Sequence, residues 1–430
     1  MIFTTKKIKL SYLYLLKAKT TLLAAIILLL LPSVTFSLDL SIEETDDSIP
    51  ITIMPISGKA GGIIEADLKR SGRLKIISAS KIKGLTPFGG SVANVNDFSA
   101  ITDYIVRGKP SINGGLDIEL ISTSDKAVTR YSISANASPR RVAHKTADKI
   151  YQKITRIKGA FDTRLAYVTV TNKASKNRMF RLYIADSDGY KPQSILSSHF
   201  PIMSPDWSPD ASKLAYVSFE ENNTSAIYIQ NIFTGEKRKI SSREGINGAP
   251  SWSPDGRRLA MSLSVSGNPE IYVINVASGA LTQITHSSAI NTEPTWRNND
   301  TLVFTSNRGG TPQLYLARAS GGSIKRMSFD GRYNSAADIA NNKMAYITGA
   351  RGAYQVAIKS ISGAGKEILS NGRLDESPTI SPNGAMVVYT TLKNGENTLA
   401  VVSDNAKARQ FLTSAAGDVR EPAWSPYLTK

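Results

Sequence analysis

From about residue 160 onward the polarity pattern repeats. Short apolar runs of four or five residues alternate with polar stretches rich in Ser, Pro, Asp, Asn and Gly. The strings are PDWSPD (Pro205–Asp210), PSWSPDG (Pro250–Gly256), PTWRNND (Pro294–Asp300), ADIANNK (Ala337–Lys343), PTISPNG (Pro378–Gly384) and PAWSP (Pro422–Pro426). Their starts lie 45, 44, 43, 41 and 44 residues apart. Each of the first five leads into a strand-like run: LAYVS at Leu214, LAMSL at Leu259, LVFTS at Leu302, MAYIT at Met344 and VVYTT at Val387. A second run follows at Ile227, Ile271, Leu314, Val356 and Leu399, and a third ends the unit. Four short strands per 40–45 residues is the spacing of propeller blades. The Ser-Pro-Asp-Gly string is a turn, in which proline presets φ, aspartate bonds the local backbone and glycine takes positive φ. The Trp before it is an apolar anchor that wedges between sheets.

The ends of the array distinguish a closed ring from an open solenoid. Leu165–Val168 and Leu182–Ala185 match the second and third strands of a blade that lacks its first, and the last string supplies a first strand with nothing after it. Joined, the two fragments make a sixth blade and leave no open sheet edge between blades. The expected fold is an all-β six-bladed propeller over residues 159–430, preceded by a small α/β domain over 38–158. In that domain Ile51–Met54, Leu74–Ile77, Asp103–Arg107, Leu116–Ser122 and Thr129–Ile133 read as strands. Ile63–Arg70 and Ala137–Ile157 read as helices that cover one face of the sheet.

The first 37 residues read differently. Lys6, Lys7, Lys9, Lys17 and Lys19 precede the unbroken apolar run Leu22–Leu31, with Thr35-Phe36-Ser37 as a cleavage site. This is the pattern of an export signal. The formal charge of +17 loses the five lysines and is otherwise spread over both parts, with no basic run, so nucleic-acid binding is disfavoured. There is no cysteine, hence no disulfide or thiolate chemistry. His144, His199 and His286 stand in no ligand-like spacing, and no metal or cofactor is expected. No G-x-S-x-G elbow, HExxH or P-loop string occurs, so no catalytic residues are assigned and an enzyme is not expected. His144 and Asp148, at i and i+4 on a helix, read as a surface or domain-packing pair rather than an acid-base pair. A propeller that holds a glycan or other ligand in its channel is the alternative to one that binds proteins.

The chain resembles the TolB family of the Tol-Pal cell-envelope system over essentially its whole mature length. The residues that carry the resemblance include Tyr104-x-Val106-Arg107-Gly108, Arg141-x-Ala143-His144-x-x-Ala147-Asp148, Gly159-Ala-Phe161, Met203–Pro209, Ala215–Glu220 and Pro312–Tyr315. The resemblance implies a periplasmic, non-enzymatic scaffold for envelope constriction and outer-membrane integrity. One face of the propeller channel would bind the lipoprotein Pal, giving peripheral association with the outer membrane. The mature N-terminus, here Leu38, Asp39, Leu40, Ser41, Ile42 and Glu43, would bind the inner-membrane protein TolA. Family contacts with Pal fall on the positions of Ile246, Ala249, Thr292 and Glu293; Ile246 stands where the family often has His. The loops entering each blade add Asn247, Asn291, Glu376 and Glu421. The Asn or Asp three residues before the Pro position also reads as a residue that fixes the turn by bonding backbone.

Overall fold

The computed structural model describes residues 40–42, 47–135, 138–173, 175–221, 223–350, 352–363, 365–412 and 414–429, with backbone only for 40–42 and 350. The expected export signal and its cleavage after Ser37 lie outside these residues, as do Leu38, Asp39 and Glu43. Residues 40–430 pack as one compact unit. Among the described residues no helix is long and apolar enough to cross a membrane.

Six antiparallel sheets form the propeller. Blade 2 shows the rule: Ile202–Trp207, Lys213–Ser218, Ala226–Asn231 and Lys237–Ser241 run in order from the axis outward. Blades 3, 4, 5 and 6 repeat it, with innermost strands Asn247–Trp252, Asn291–Asn298, Tyr333–Ala340 and Glu376–Ile380. Blade 1 is built from both ends of the array. Its innermost strand is the C-terminal Asp418–Trp424, and the other three follow from Arg164–Thr171. Asp418 pairs with Val170 and Trp424 with Leu165, so the last strand closes the ring as the two half-blades predict.

The turn chemistry is as the sequence demands. In blade 3, Ser253 Oγ bonds Asp255, Gly256 N donates to Ser253 O at 2.9 Å, and Gly256 takes φ +68°. In blade 2, Ala211 fills the glycine position at φ +55°. The four Trp side chains are buried between blades. Trp207, Trp296 and Trp424 donate their indole N–H to Ala423 O, Ser251 O and Thr163 Oγ1 at 2.8–3.1 Å. That of Trp252 finds no acceptor among the described residues.

The N-terminal sheet has the order Leu74–Ile77, Ile49–Ile53, Tyr104–Pro110, Leu116–Ser122, Val128–Ile133. The first three strands are parallel and the rest antiparallel. Helices α1 (Ala60–Arg70) and α2 (Pro139–Thr155) cover one face. The irregular stretch containing Ile82, Val95 and Phe98 covers the other. Local signals bound α2 at both ends. Ser138 caps α2 through Arg141 N with Pro139 behind it, and Arg156 ends it at φ +65°.

The α/β domain sits on one end of the propeller, against blades 1 and 6. Arg73 Nη2 donates to both carboxylate oxygens of Asp404, and Asn405 Nδ2 donates to Gly72 O. Asp148 accepts from the amides of Phe161 and Asp162 at 2.7 and 3.1 Å. Gly159 is obligatory there, since a Cβ would stand 2.3 Å from Asp148 Oδ1. One buried apolar cluster runs from Ile51, Leu68 and Ile150 through Phe161 to Leu165, Met386 and Trp424. Beyond it, the backbone of Leu40–Ile42 adds a fifth strand to the outer edge of blade 6, Leu40 opposite Gln410 and Ile42 opposite Ala408.

Candidate functional site: the free mouth of the propeller channel

Every innermost strand carries the same irregularity. Its register with the second strand shifts just before or at the Pro position. The residue at the shift takes positive φ in all six blades: Ser204, Ala249, Glu293, Ala336, Ser377 and Glu421, between +46° and +52°. Non-glycine residues seldom adopt this conformation. A bulge repeated around the axis turns the strand ends inward and frees one amide per blade from the ladder.

Side chains of neighbouring blades take up many of the freed groups. Glu421 of blade 1 accepts from Ser204 N of blade 2. Asp206 of blade 2 accepts from Trp252 N of blade 3 at 2.7 Å. Glu293 of blade 4 accepts from Ala336 N of blade 5 at 2.9 Å and from Thr305 Oγ1 at 2.8 Å. Asp338 of blade 5 accepts from Ile380 N of blade 6 at 2.9 Å, and Trp424 N of blade 1 donates to Thr379 Oγ1 of blade 6. With the Trp296–Ser251 bond, each adjacent pair of blades is joined near the axis. These groups line a channel of about 300 Å³. Desolvation there pushes the Asp206 carboxyl up to about 7, despite its bond from Trp252 N. Burial likewise raises Asp338 and Glu421.

The end of the channel away from the α/β domain is lined by the loops that enter each innermost strand. The proposed rim residues separate into groups here. Asn247 and Asn291 are buried and spent inside their turns. Asn247 Nδ2 donates to Arg243 O at 2.7 Å and its Oδ1 accepts from Ser241 Oγ and Arg243 N. Asn291 Nδ2 donates to Glu270 and to Ala289 O. The same position in blade 6, Asp375, accepts from Thr391 Oγ1 at 2.6 Å. Ala249, Thr292, Glu293 and Glu421 are half-buried, and Ile246 and Glu376 are exposed.

A feature of the mouth that the polar pattern did not point to is apolar. Ile246, Ile290 and Leu374 are 52%, 50% and 49% exposed, and each lies four residues before its blade's Pro position. Tyr333 holds the same place in blade 5 and packs edge-on to Tyr354 at 4.9 Å. Phe200, Val265 and Leu392 are exposed on adjacent loops of the same end. Ile246 was among the rim residues that the family resemblance implied; Ile290 and Leu374, at the same four-residue spacing before the Pro position, were not.

The domain junction holds a second cluster. His144 is buried and its Nδ1 bonds Asp67 Oδ2 at 2.6 Å. Burial disfavours its protonated form, but the Asp67 and Asp188 carboxylates outweigh this and raise its pKa. His144 thus bonds Asp67 of α1 within the α/β domain, whereas Asp148 bonds the Phe161 and Asp162 amides at the start of the propeller. Burial raises the Asp148 carboxyl to about 7.

Fold and junction together define a six-bladed β-propeller protein with an N-terminal α/β domain docked at one end of the ring. The TolB beta propeller domain family matches residues 151–428. The Tol-Pal system protein TolB of Alcanivorax borkumensis is 47% identical over 403 residues, 90% of this chain and 92% of the relative. That of Xanthomonas oryzae pv. oryzae is 42% identical over 433 residues, 95% and 98% of the two chains. The crystal structure of TolB from Acinetobacter baumannii, 37% identical, covers 91% of this chain and all of its own with a TM-score of 0.81. The chain belongs to the TolB family of Tol-Pal system proteins.

Proposed function

We propose that this protein is a periplasmic, non-enzymatic scaffold that binds the lipoprotein Pal at the free channel mouth and TolA through its N-terminal segment. In this role it links the outer and inner membranes, supporting outer-membrane integrity and constriction at division. The carrying observation is the set of exposed Ile246, Ile290 and Leu374, on blades 3, 4 and 6, at a carboxylate-lined mouth on the end of the propeller that the α/β domain leaves free. Apolar side chains clustered within a polar surround are what a protein interface requires. Thr292, Glu293, Glu376 and Glu421 supply polar contacts at its inner margin, while Asn247, Ala249 and Asn291 set the loop backbone. An interface of roughly 1,600 Å² suits such a surface.

The N-terminal segment fits a different mode of recognition. The backbone of Leu40–Ile42 pairs antiparallel along the outer edge of blade 6. A strand added to an edge in this way can be exchanged for a partner's edge. TolA, which would bind the segment Leu38–Glu43, then competes with blade 6 for Leu40–Ile42.

The test is a calorimetric titration of the mature protein with Pal, repeated with Ile246→Asp/Ile290→Asp. The doubly substituted protein should lose at least tenfold in affinity with its melting temperature unchanged, because both side chains are solvent-exposed. Equal affinity for the two proteins would remove the rim assignment.

A further inference from the structure

The junction between α2 and blade 1 brings together groups the sequence keeps far apart. One ring nitrogen of His144 and one carboxylate oxygen each from Asp186 and Asp188 lie within 4.8 Å of one another. His144 comes from the second turn of α2, Asp186 from the end of the strand Met179–Asp186, and Asp188 from the turn after it. The His144 side chain is 3% exposed. Its Nδ1 is engaged by Asp67, which leaves Nε2 as the nitrogen facing the pair of aspartates. That Nε2 is buried and has no hydrogen-bond partner among the described residues. The space between it and the carboxylates is too wide for a direct hydrogen bond. Donor atoms of a tetrahedral zinc stand roughly 3.3–3.5 Å from one another, so a small inward movement of these side chains would let a single cation meet all three.

We propose that His144, Asp186 and Asp188 form a site for a transition-metal dication of the zinc type, which ties helix α2 to blade 1. One imidazole and two carboxylates are a donor set that such ions accept. The surroundings are those of a metal ligand shell. Asp67 accepts the Nδ1 proton at 2.6 Å, which fixes the tautomer with the Nε2 lone pair toward the site. Asp67 is itself held by Arg70 Nη2 at 2.8 Å. Asp188 Oδ1 accepts from Tyr190 N at 3.1 Å, which orients its carboxylate. Asp186 is the open side, with a third of its side chain exposed, and gives the ion its entry path.

Arg140 is the competitor. Its Nε donates to Asp186 Oδ2 at 3.0 Å and its Nη2 to Asp188 Oδ2. The guanidinium also lies over the Tyr190 ring, 4.0 Å from its centroid. It balances the two aspartates when no ion is bound and draws on the same oxygen lone pairs. Removing it should therefore strengthen metal binding. A purely structural ion-pair latch would instead lose stability and bind no metal.

The mature protein, untagged and stripped with chelator, is titrated with Zn²⁺ alone by calorimetry. One ion per chain should bind. Asp188→Asn and His144→Gln should each weaken binding by more than tenfold. Asp67→Asn, which leaves all three ligands in place, should weaken it by about 10–100-fold. Arg140→Gln should tighten it. Should His144→Gln fail to fold, Asp188→Asn carries the test, because its amide oxygen still accepts the Tyr190 N–H. No saturable binding to the wild-type protein would overturn the proposal. So would one-to-one binding that is unchanged in both Asp188→Asn and Arg140→Gln.

Discussion

The four blade tryptophans offer a controlled comparison, because they share a position and differ in one bond. Each is replaced by Phe, one at a time. The loss of the second ring is common to all four, since every side chain is buried to a similar degree, with 4–7% exposed. The indole N–H is not. Trp207, Trp296 and Trp424 each lose a hydrogen bond of 2.8–3.1 Å, a net contribution of about 0.5–1.5 kcal/mol. Trp252 has no bond to lose and carries a buried, unpaired N–H, whose desolvation costs roughly 1–3 kcal/mol. Phe at 252 removes that cost. Trp252→Phe should therefore be less damaging than Trp207→Phe or Trp424→Phe by about 1.5–4.5 kcal/mol, the sum of the two effects. Urea unfolding followed by circular dichroism measures this without depending on the fluorophore being removed. If Trp252→Phe costs as much as its counterparts, the indole bonds do not set the differences and the reasoning fails.

Deleting Pro422–Lys430 removes the end of the strand that pairs with Arg164–Thr171, Ala423 and Trp424 among it; the truncated chain should lose cooperative unfolding and gain self-association, read by light scattering. Asp206→Asn tests the channel carboxylate. With its folded pKa raised to about 7 from the usual 3.8, the fold keeps this proton while the unfolded chain loses it, so the group costs stability progressively from about pH 4 to 7 and no more above that. The stability gained by Asn, which still accepts the Trp252 N–H, should be small at about pH 4.5 and grow to about pH 7; a difference that stays flat across thermal melts in that range would contradict the burial argument. Gly159→Ala places a Cβ 2.3 Å from Asp148 Oδ1 and 2.4 Å from its Cα and should cost about 3 kcal/mol, the upper end for overpacking; a cost under about 1 kcal/mol would show the junction to be compliant.

The sequence by itself determined the ring. Blade count, strand order and closure by the C-terminal strand follow from strings 41–45 residues apart, because a blade is a local unit whose turns and apolar alternation are written in adjacent residues. The elements of the α/β domain were legible for the same reason, with strand and helix ends shifted by one to three residues. The rim was legible only in part. Asn247 and Asn291 read equally as binding or turn-fixing residues until their bonds to Arg243 and Glu270 were seen. Glu293 and Glu421 looked like free carboxylates until ring closure brought them against Ala336 N and Ser204 N of the next blade. His144 stood in no ligand-like spacing, yet docking of α2 on blade 1 sets it beside Asp186 and Asp188. Likewise, the backbone pairing of Leu40 with Gln410 is written nowhere in the local pattern. Periodicity fixes what each blade is. Which polar groups meet across blades, and across the domain junction, is decided by closing the ring and docking the helices, since those partners are distant in sequence and adjacent only once the apolar cluster from Ile51 to Trp424 has formed.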